Sequence, residues 1–488
     1  MKQIIVNSTD QEKRVALLEA GKLIELWIER PGNERLEGNI YKGKVVNILP
    51  GMQAAFVDIG LEKNAYLYID DCLSSLQKEE KPNIREILTE GQELVVQLTK
   101  EPVGTKGARV TTQLSFPGRF IVYMPDDPYI GISRKIEGLQ ERKRLQEICE
   151  KLRENQEGII VRTMGEGATS EELTNDFFFL RAMWKKVLTT ARASKPQRLI
   201  HKDFDLVIRI VRDVFSPDID ELLIDHVEDY TKLMEQLGDV IPDFKKKIKL
   251  YTERTGIFDT YHIESELEKT LKRKVWLKNG GYLIIDRTEA LTSIDVNTGK
   301  FTGSRELAET VFKTNLEATK EIARQLRLRD LGGIIIIDFI DMFHQQHRNT
   351  VLDSLKEELK KDRTKTHILG FTQLGLLEMT RKKARQTLED YLTKPCPYCE
   401  GTGKISSEET VCAKIEREIR EYAKNPDIEA VLLEIHPQLE KHLNSEKTKR
   451  WGVHVYLRTN ENLHQTKYTL PFVGTVKEVK ERALQSPI

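Results

Sequence analysis

Two aspartates that close apolar runs are the residues of this chain best suited to chemistry. Asp295 lies in Leu291-Thr292-Ser293-Ile294-Asp295-Val296-Asn297, soon after the run Tyr282-Leu283-Ile284-Ile285-Asp286. Asp338 ends Gly332-Gly333-Ile334-Ile335-Ile336-Ile337-Asp338 and is followed by Phe339-Ile340-Asp341. Four isoleucines after a glycine pair predict a strand buried on both faces. Two neighbouring strands of this kind would bring Asp295 and Asp338 together where the sheet opens to solvent. Carboxylates held close repel unless one is protonated or a cation lies between them. Mg²⁺ fits such a pair, because it takes hard oxygen ligands and is often held by one or two carboxylates plus substrate phosphates. Bound there, it would activate a water and neutralise a phosphodiester. Asn297 is suited to position water or phosphate, since an amide does not titrate. The plain alternative is that both aspartates are ordinary surface residues at strand ends.

A second chemical feature is Cys396-Pro397-Tyr398-Cys399-Glu400-Gly401-Thr402-Gly403. Two thiolates at this spacing can grip one Zn²⁺, and structural zinc takes four ligands. The chain has no second such pair, and Cys412 stands thirteen residues beyond Cys399 with no histidine near it. The economical reading is one Zn²⁺ shared between two chains, each giving Cys396 and Cys399; the plain alternative is a pair of cysteines with no metal. The other cysteines, Cys72, Cys149 and Cys412, are scattered and make no disulfide framework.

These residues need elements to position them. The 488 residues predict two to four domains. Lys+Arg and Asp+Glu are both 77, so the net charge is zero and any nucleic-acid contact must come from local patches. No apolar stretch approaches the roughly 20 residues that span a bilayer, and Met1 to Asn7 lacks the apolar core of a signal peptide. The expected location is cytoplasmic. From about Gly38 to Leu114, short strands separated by turns predict a small barrel of the OB type. Phe56 and Tyr66, with Lys42, Lys44 and Lys106, would offer stacking faces and phosphate contacts there. By pattern alone, isolated strand aromatics belong in the core. The strand at 158–163 ends in Arg162-Thr163 before Gly165-Glu166-Gly167, a guanidinium and a hydroxyl that could hold a phosphate. Residues 205–211 and 221–225 add two further segments of α/β type. Helices are predicted at 137–155, 173–193, 306–326, 348–361 and 376–391. Arg324, Arg327 and Arg329 lie close in sequence to the Asp338 strand and are expected to contact RNA.

Together these stretches resemble the ribonuclease E/G family over nearly the whole chain. The most specific are Ile40-Tyr41-Lys42-Gly43-Lys44, Ala54-Ala55-Phe56-Val57-Asp58, Ser293-Ile294-Asp295-Val296-Asn297, the run Arg324 to Gly333, Ile337-Asp338-Phe339-Ile340-Asp341-Met342, Gly375 to Arg381, and the Cys396–Cys399 pair. The resemblance implies a multidomain α/β protein. Its expected parts are an RNase H-like first segment at 1–35, an OB-fold RNA-binding domain at 36–118 and a 5′-sensor region at 119–205. A second RNase H-like segment follows at 206–270, then a DNase I-like catalytic domain at 271–392, a zinc link at 393–406 and a small C-terminal domain at 407–488. The implied activity is Mg²⁺-dependent endonucleolytic cleavage of single-stranded, A/U-rich RNA, leaving a 5′-phosphate and a 3′-hydroxyl. Messenger RNA and rRNA precursors are the implied substrates. By resemblance, Asp295 and Asp338 hold Mg²⁺ and Asn297 supports them by hydrogen bonding. Phe56, Tyr66 and Lys106 lie on the RNA-binding surface, Arg162 and Thr163 sense a 5′-monophosphate, and Cys396 and Cys399 form the inter-chain zinc link. A homodimer is implied, with a tetramer left open. Two departures are Tyr66, where close relatives often have Phe, and Lys365, where some have Arg near the sensor. From a different class, the rival reading is a non-catalytic RNA-binding protein with an OB module and a zinc knuckle.

Overall fold

The structure, a computed structural model, describes the chain except for residues 33, 73–81, 103–105, 155, 238–241, 300–306, 384, 444–447 and 485–488. It divides into two compact units, Met1–Glu389 and Asp390–Ile488.

In the first unit, the apolar N-terminal run becomes the strand Lys2–Ser8. It pairs antiparallel with Lys13–Glu19 and parallel with Glu221–Ile224. The sheet order is Ile248–Leu250, Glu221–Ile224, Lys2–Ser8, Lys13–Glu19, Lys22–Glu29. Segments far apart in sequence thus share one core, in which Ile4, Val6, Leu17 and Leu222 pack against Val207, Ile210 and Val211. Those last residues belong to a helix, Leu206–Val214, whose first turn is capped by the Asp205 side chain.

Between those segments lies a closed five-strand barrel of mixed α/β context, consistent with an OB-like module. Ile40–Leu49 pairs with Ala54–Asp58 on one side and with Glu93–Lys100 on the other, and Ala65–Tyr68 and Arg109–Thr111 complete the ring. Closure needs Gly43, since a Cβ there would lie 2.5 Å from Val57 Cγ1. A second insert follows. Its mixed sheet, Ile130–Ile132, Gly158–Val161, Ile121–Met124 and Phe116–Pro117, shares a core with the helices Leu139–Leu152 and Ser170–Ala193.

The last sheet of this unit runs Lys274–Trp276, Tyr282–Arg287, Leu291–Asn297, Gly333–Asp338, Leu377–Arg381, Thr366–Phe371. The helices Leu307–Leu328 and Gln345–Leu359 bury one face of it. Ile335 and Ile337 point into that core with Leu283, Ile294, Ile322 and Val351. The isoleucine strand is therefore not buried on both faces, as its unbroken apolar run predicts. Ile334 is 51% exposed and Ile336 half-buried on the open face. A run without polar residues cannot reveal that helices cover only one of its sides. Nor is 376–391 one helix. Leu377, Met379 and Arg381 turn inward and Glu378 and Thr380 outward, an alternation of period two, so Leu377–Arg381 is a strand and only Leu388–Leu392 is helical.

The second unit is a three-stranded sheet, His454–Thr459, Ala430–Ile435, Tyr468–Gly474. Glu408–Tyr422 packs on the face of Val431 and Leu433, and Val476–Leu484 on the face of Ala430 and Leu432. Among the described residues, no helix is long and apolar enough to cross a membrane.

Candidate active site

The strands Leu291–Asn297 and Gly333–Asp338 run parallel, with Asp295 directly beside Asp338 in register. Their neighbours Ile294, Val296 and Ile337 point to the helix-covered core, so both aspartates stand exposed on the open face. Asn297, one pleat further along, donates from Nδ2 to Asp295 Oδ2 at 2.8 Å. The Asp338 carboxyl is pushed above its ordinary value, first by partial burial and then by the charges of Asp295 and Asp341. No cation of the described chain offsets that repulsion.

The chain after Asp338 is fixed by a residue that periodicity alone does not single out. Asn315 is fully buried; its Nδ2 donates to Ile340 O at 2.8 Å, and Ile340 N–H donates to its Oδ1 at 3.1 Å. This two-way amide clamp sets the turn that keeps Asp341 near Asp338. The available signal was a polar stripe, Thr310, Thr314, Asn315 and Thr319, buried where a helix should show an apolar face.

The donor set suits Mg²⁺. Two in-register carboxylates on an accessible face, one oriented by an amide, leave the remaining coordination to water and substrate phosphates. Among the described residues, no group of three or more His, Cys, Asp or Glu side chains is placed to enclose a metal. Such a site would need the oxygens of a substrate to complete it.

The arginines expected to meet RNA are used inside the molecule. Arg324 binds Glu321 and Leu23 O, and Arg327 is buried against Glu25 at 2.7 Å. Arg329 donates to Gln325 Oε1 and Lys272 O. The end of their helix packs on the strand Lys22–Glu29, where Leu23 O takes Arg324 and the Glu25 carboxylate takes Arg327. Arg381 is 4% exposed and joins Asp330 at 2.6 Å to Asp362 at 2.7 Å.

On the barrel, Ala55, Val57, Ala65 and Leu67 fill the interior, while Phe56 and Tyr66 alternate outward and are half-buried. The core placement that pattern alone favours is thus corrected, because the strands alternate and the alanines occupy the inner positions. Phe56 and Tyr66 are cross-strand partners with ring centroids 6.1 Å apart in an edge-to-face arrangement. Lys106 is exposed, two residues before Ala108, whose carbonyl accepts the Tyr66 N–H.

In the second insert, Arg162 and Thr163 follow the strand Gly158–Val161. Arg162 donates to Gly118 O and to Asp213 Oδ1 at 2.7 Å, while Arg212 also holds Asp213. Against the effect of burial, these two guanidinium groups keep the Asp213 carboxyl below its usual range. Thr163 Oγ1 lies 2.9 Å from Ser133 Oγ.

In the second unit, Cys399 Sγ accepts the Gly403 N–H at 3.3 Å. Backbone N–H groups of Cys399 and Tyr398 hold the Cys396 thiol below its ordinary value. Such N–H donors favour the thiolate, the form that binds metal. Cys396 is exposed and Cys399 half-buried, and among the described residues no third His, Cys, Asp or Glu joins them.

Residues 115–384 match the family described as "Ribonuclease E/G family". Ribonuclease G of Escherichia coli (strain K12) is 44% identical over 454 residues, covering 91% of this chain and 93% of that protein. Ribonuclease G of Haemophilus influenzae is 47% identical over 425 residues, covering 86% and 87%. Ribonuclease E of Escherichia coli (strain K12) is 39% identical over 489 residues, covering 96% of this chain and 46% of that protein.

Proposed function

From the premise that this chain belongs to the ribonuclease E/G family and is an endoribonuclease, we propose that it cuts single-stranded, A/U-rich RNA at a Mg²⁺ site on Asp295 and Asp338. The rival reading as a non-catalytic RNA-binding protein falls with family membership. The observation that carries the proposal is the in-register carboxylate pair, with its raised Asp338 carboxyl and no basic partner. Bound there, Mg²⁺ would lower the pKa of a water and neutralise charge on the phosphodiester. Asn297 holds Asp295 in one orientation. The Asn315 clamp fixes the turn between Asp338 and Asp341. Attack of that water on phosphorus with departure of the 3′-oxygen would leave a 5′-phosphate and a 3′-hydroxyl.

Phe56, Tyr66 and Lys106 hold RNA bases and backbone on the outer face of the barrel. Arg162 and Thr163 receive a 5′-monophosphate, which stimulates cleavage by recruiting and aligning the RNA. Arg162 keeps donors beyond those it gives to Gly118 and Asp213, since a guanidinium carries five N–H groups. Cys396 and Cys399 share one Zn²⁺ with the same pair of a second chain, making a homodimer that can pair into a tetramer. The protein acts in the cytoplasm, in rRNA processing and mRNA decay.

A 5′-monophosphorylated A/U-rich oligonucleotide, incubated with and without Mg²⁺ and end-mapped, tests the reading. Cleavage that needs Mg²⁺ and leaves a 3′-hydroxyl is expected; metal-independent cleavage through a cyclic phosphate would overturn it. Metal analysis with sedimentation tests the zinc link. One Zn²⁺ per two chains, lost with the dimer in Cys396→Ser, is expected; one Zn²⁺ per monomeric chain would refute it.

A further inference from the structure

Phe343 is 89% exposed, the barest large apolar side chain among the described residues. It lies two residues after Asp341 and five after Asp338. Its loop is not loose. Ile340 is clamped by Asn315, Met342 is buried and its carbonyl accepts from Arg348 Nε at 2.9 Å. Just beyond, the His347 ring stacks on Phe312 with centroids 4.3 Å apart, and His344 stands edge-on to His347 at 5.2 Å. Anchored neighbours therefore present a phenyl ring to solvent beside the carboxylate cluster.

We propose that Phe343, presented to solvent by this anchored loop, is a stacking platform for the base of an unpaired ribonucleotide next to the scissile phosphate. The proposal rests on the reading of Asp295 and Asp338 as the cleavage centre. Every base has a π-face, so one anchored aromatic ring positions single-stranded RNA without demanding a sequence. The chemistry of the surroundings favours a base over a second protein copy. Phe343 is flanked by exposed Asp341, His344, Gln345 and Gln346. A lone ring in a polar rim is not the contiguous apolar area, about 800 Å² per partner, that a stable interface needs. Phe343 acts by holding the substrate and takes no part in bond making.

The test pairs Phe343→Ala with RNA carrying an abasic residue at successive positions around one cleavage site. Phe343→Ala should lower kcat/KM about tenfold on intact RNA, and Phe343→Tyr should restore it to within about twofold. One abasic position should lower wild-type cleavage by a similar factor and leave Phe343→Ala unaffected. In an Asp338→Asn background, Phe343→Ala should weaken RNA binding to the same extent. Abasic penalties that persist in full in Phe343→Ala, at every position, would overturn the proposal. So would a shift of Phe343→Ala to a smaller sedimenting species, which would assign the ring to contact between copies. Normal cleavage by Asp338→Asn would instead bring down the reading of the cleavage centre, while the abasic comparison still decides whether Phe343 stacks.

Discussion

The catalytic sheet carries two sets of carboxylates, and they are treated in opposite ways. Near the open ends of its parallel pair, Asp295 and Asp338 are exposed, lie side by side in register, and among the described residues meet Asp341 and an asparagine amide. At the other end of the sheet, Asp330 and Asp362 are 6% and 7% exposed and are joined by Arg381, with Arg385 adding a second bond to Asp330. A buried carboxylate is tolerable only when paired and hydrogen-bonded. An exposed pair left to mutual repulsion wants a cation from outside. Structure consumes one set, and the other remains available to a metal and an RNA phosphate.

The largest effect should come from breaking the open set. On the proposed reading, Asp295→Ala removes a charged metal ligand, and with it the acceptor for Asn297. A loss of about 4 kcal/mol of transition-state stabilisation would slow cleavage roughly a thousandfold. Single-turnover cleavage under saturating RNA measures it, with unfolding midpoints close to wild type. The buried set should show the reverse. Arg381→Met strands the buried Asp362, leaves Asp330 only its bond to Arg385, and should cost about 3–5 kcal/mol of stability in denaturant unfolding. The folded fraction should still cut at a near-normal rate.

The contrast sharpens at a distance from both sets. Arg162 stands between them in character, because it is paired to Asp213 yet half-buried at a loop. Arg162→Gln should slow cleavage of 5′-monophosphorylated RNA roughly ten- to hundredfold, the loss of a charge-assisted bond of about 1.5–3 kcal/mol. RNA with a 5′-hydroxyl should be almost unaffected. Equal slowing of both substrates would show that Arg162 serves folding or general binding.

The smallest effect is on stability against pH. The folded-state value of Asp338 lies above that of the unfolded chain, so the folded state holds the proton more tightly. Between the two values, stability of the metal-free protein therefore falls as pH rises. As pH rises above the ordinary aspartate value of about 4, denaturant unfolding in chelator should show this fall in the wild type and lose it in Asp338→Asn. Added Mg²⁺ should abolish it in the wild type by occupying the site.

Much of this was legible in the sequence. Short strands separated by turns marked the barrel, and the apolar runs placed Asp295 and Asp338 on neighbouring strands. The Cys-Pro-Tyr-Cys spacing marked the thiol pair without any structure. Other features were hidden for physical reasons. The isoleucine strand hides which face is covered, because both of its faces are apolar. Arg381 sits in a basic run that looks solvated, and only pairing with distant Asp330 and Asp362 explains its burial. Asn315 reads as a polar interruption in a helix until Ile340 is placed opposite it. The inward or outward sense of Phe56 and Tyr66 depends on the small alanines beside them, a matter of register more than composition.

The central claim is that Asp338 helps hold the catalytic Mg²⁺ and serves no structural end. The direct measurement is cleavage by Asp338→Asn across a Mg²⁺ titration, with RNA affinity measured on the same samples. RNA binding should stay nearly intact, cleavage should be lost at ordinary Mg²⁺, and high Mg²⁺ should restore part of it. Cleavage at the wild-type rate in ordinary Mg²⁺ would place the metal site elsewhere.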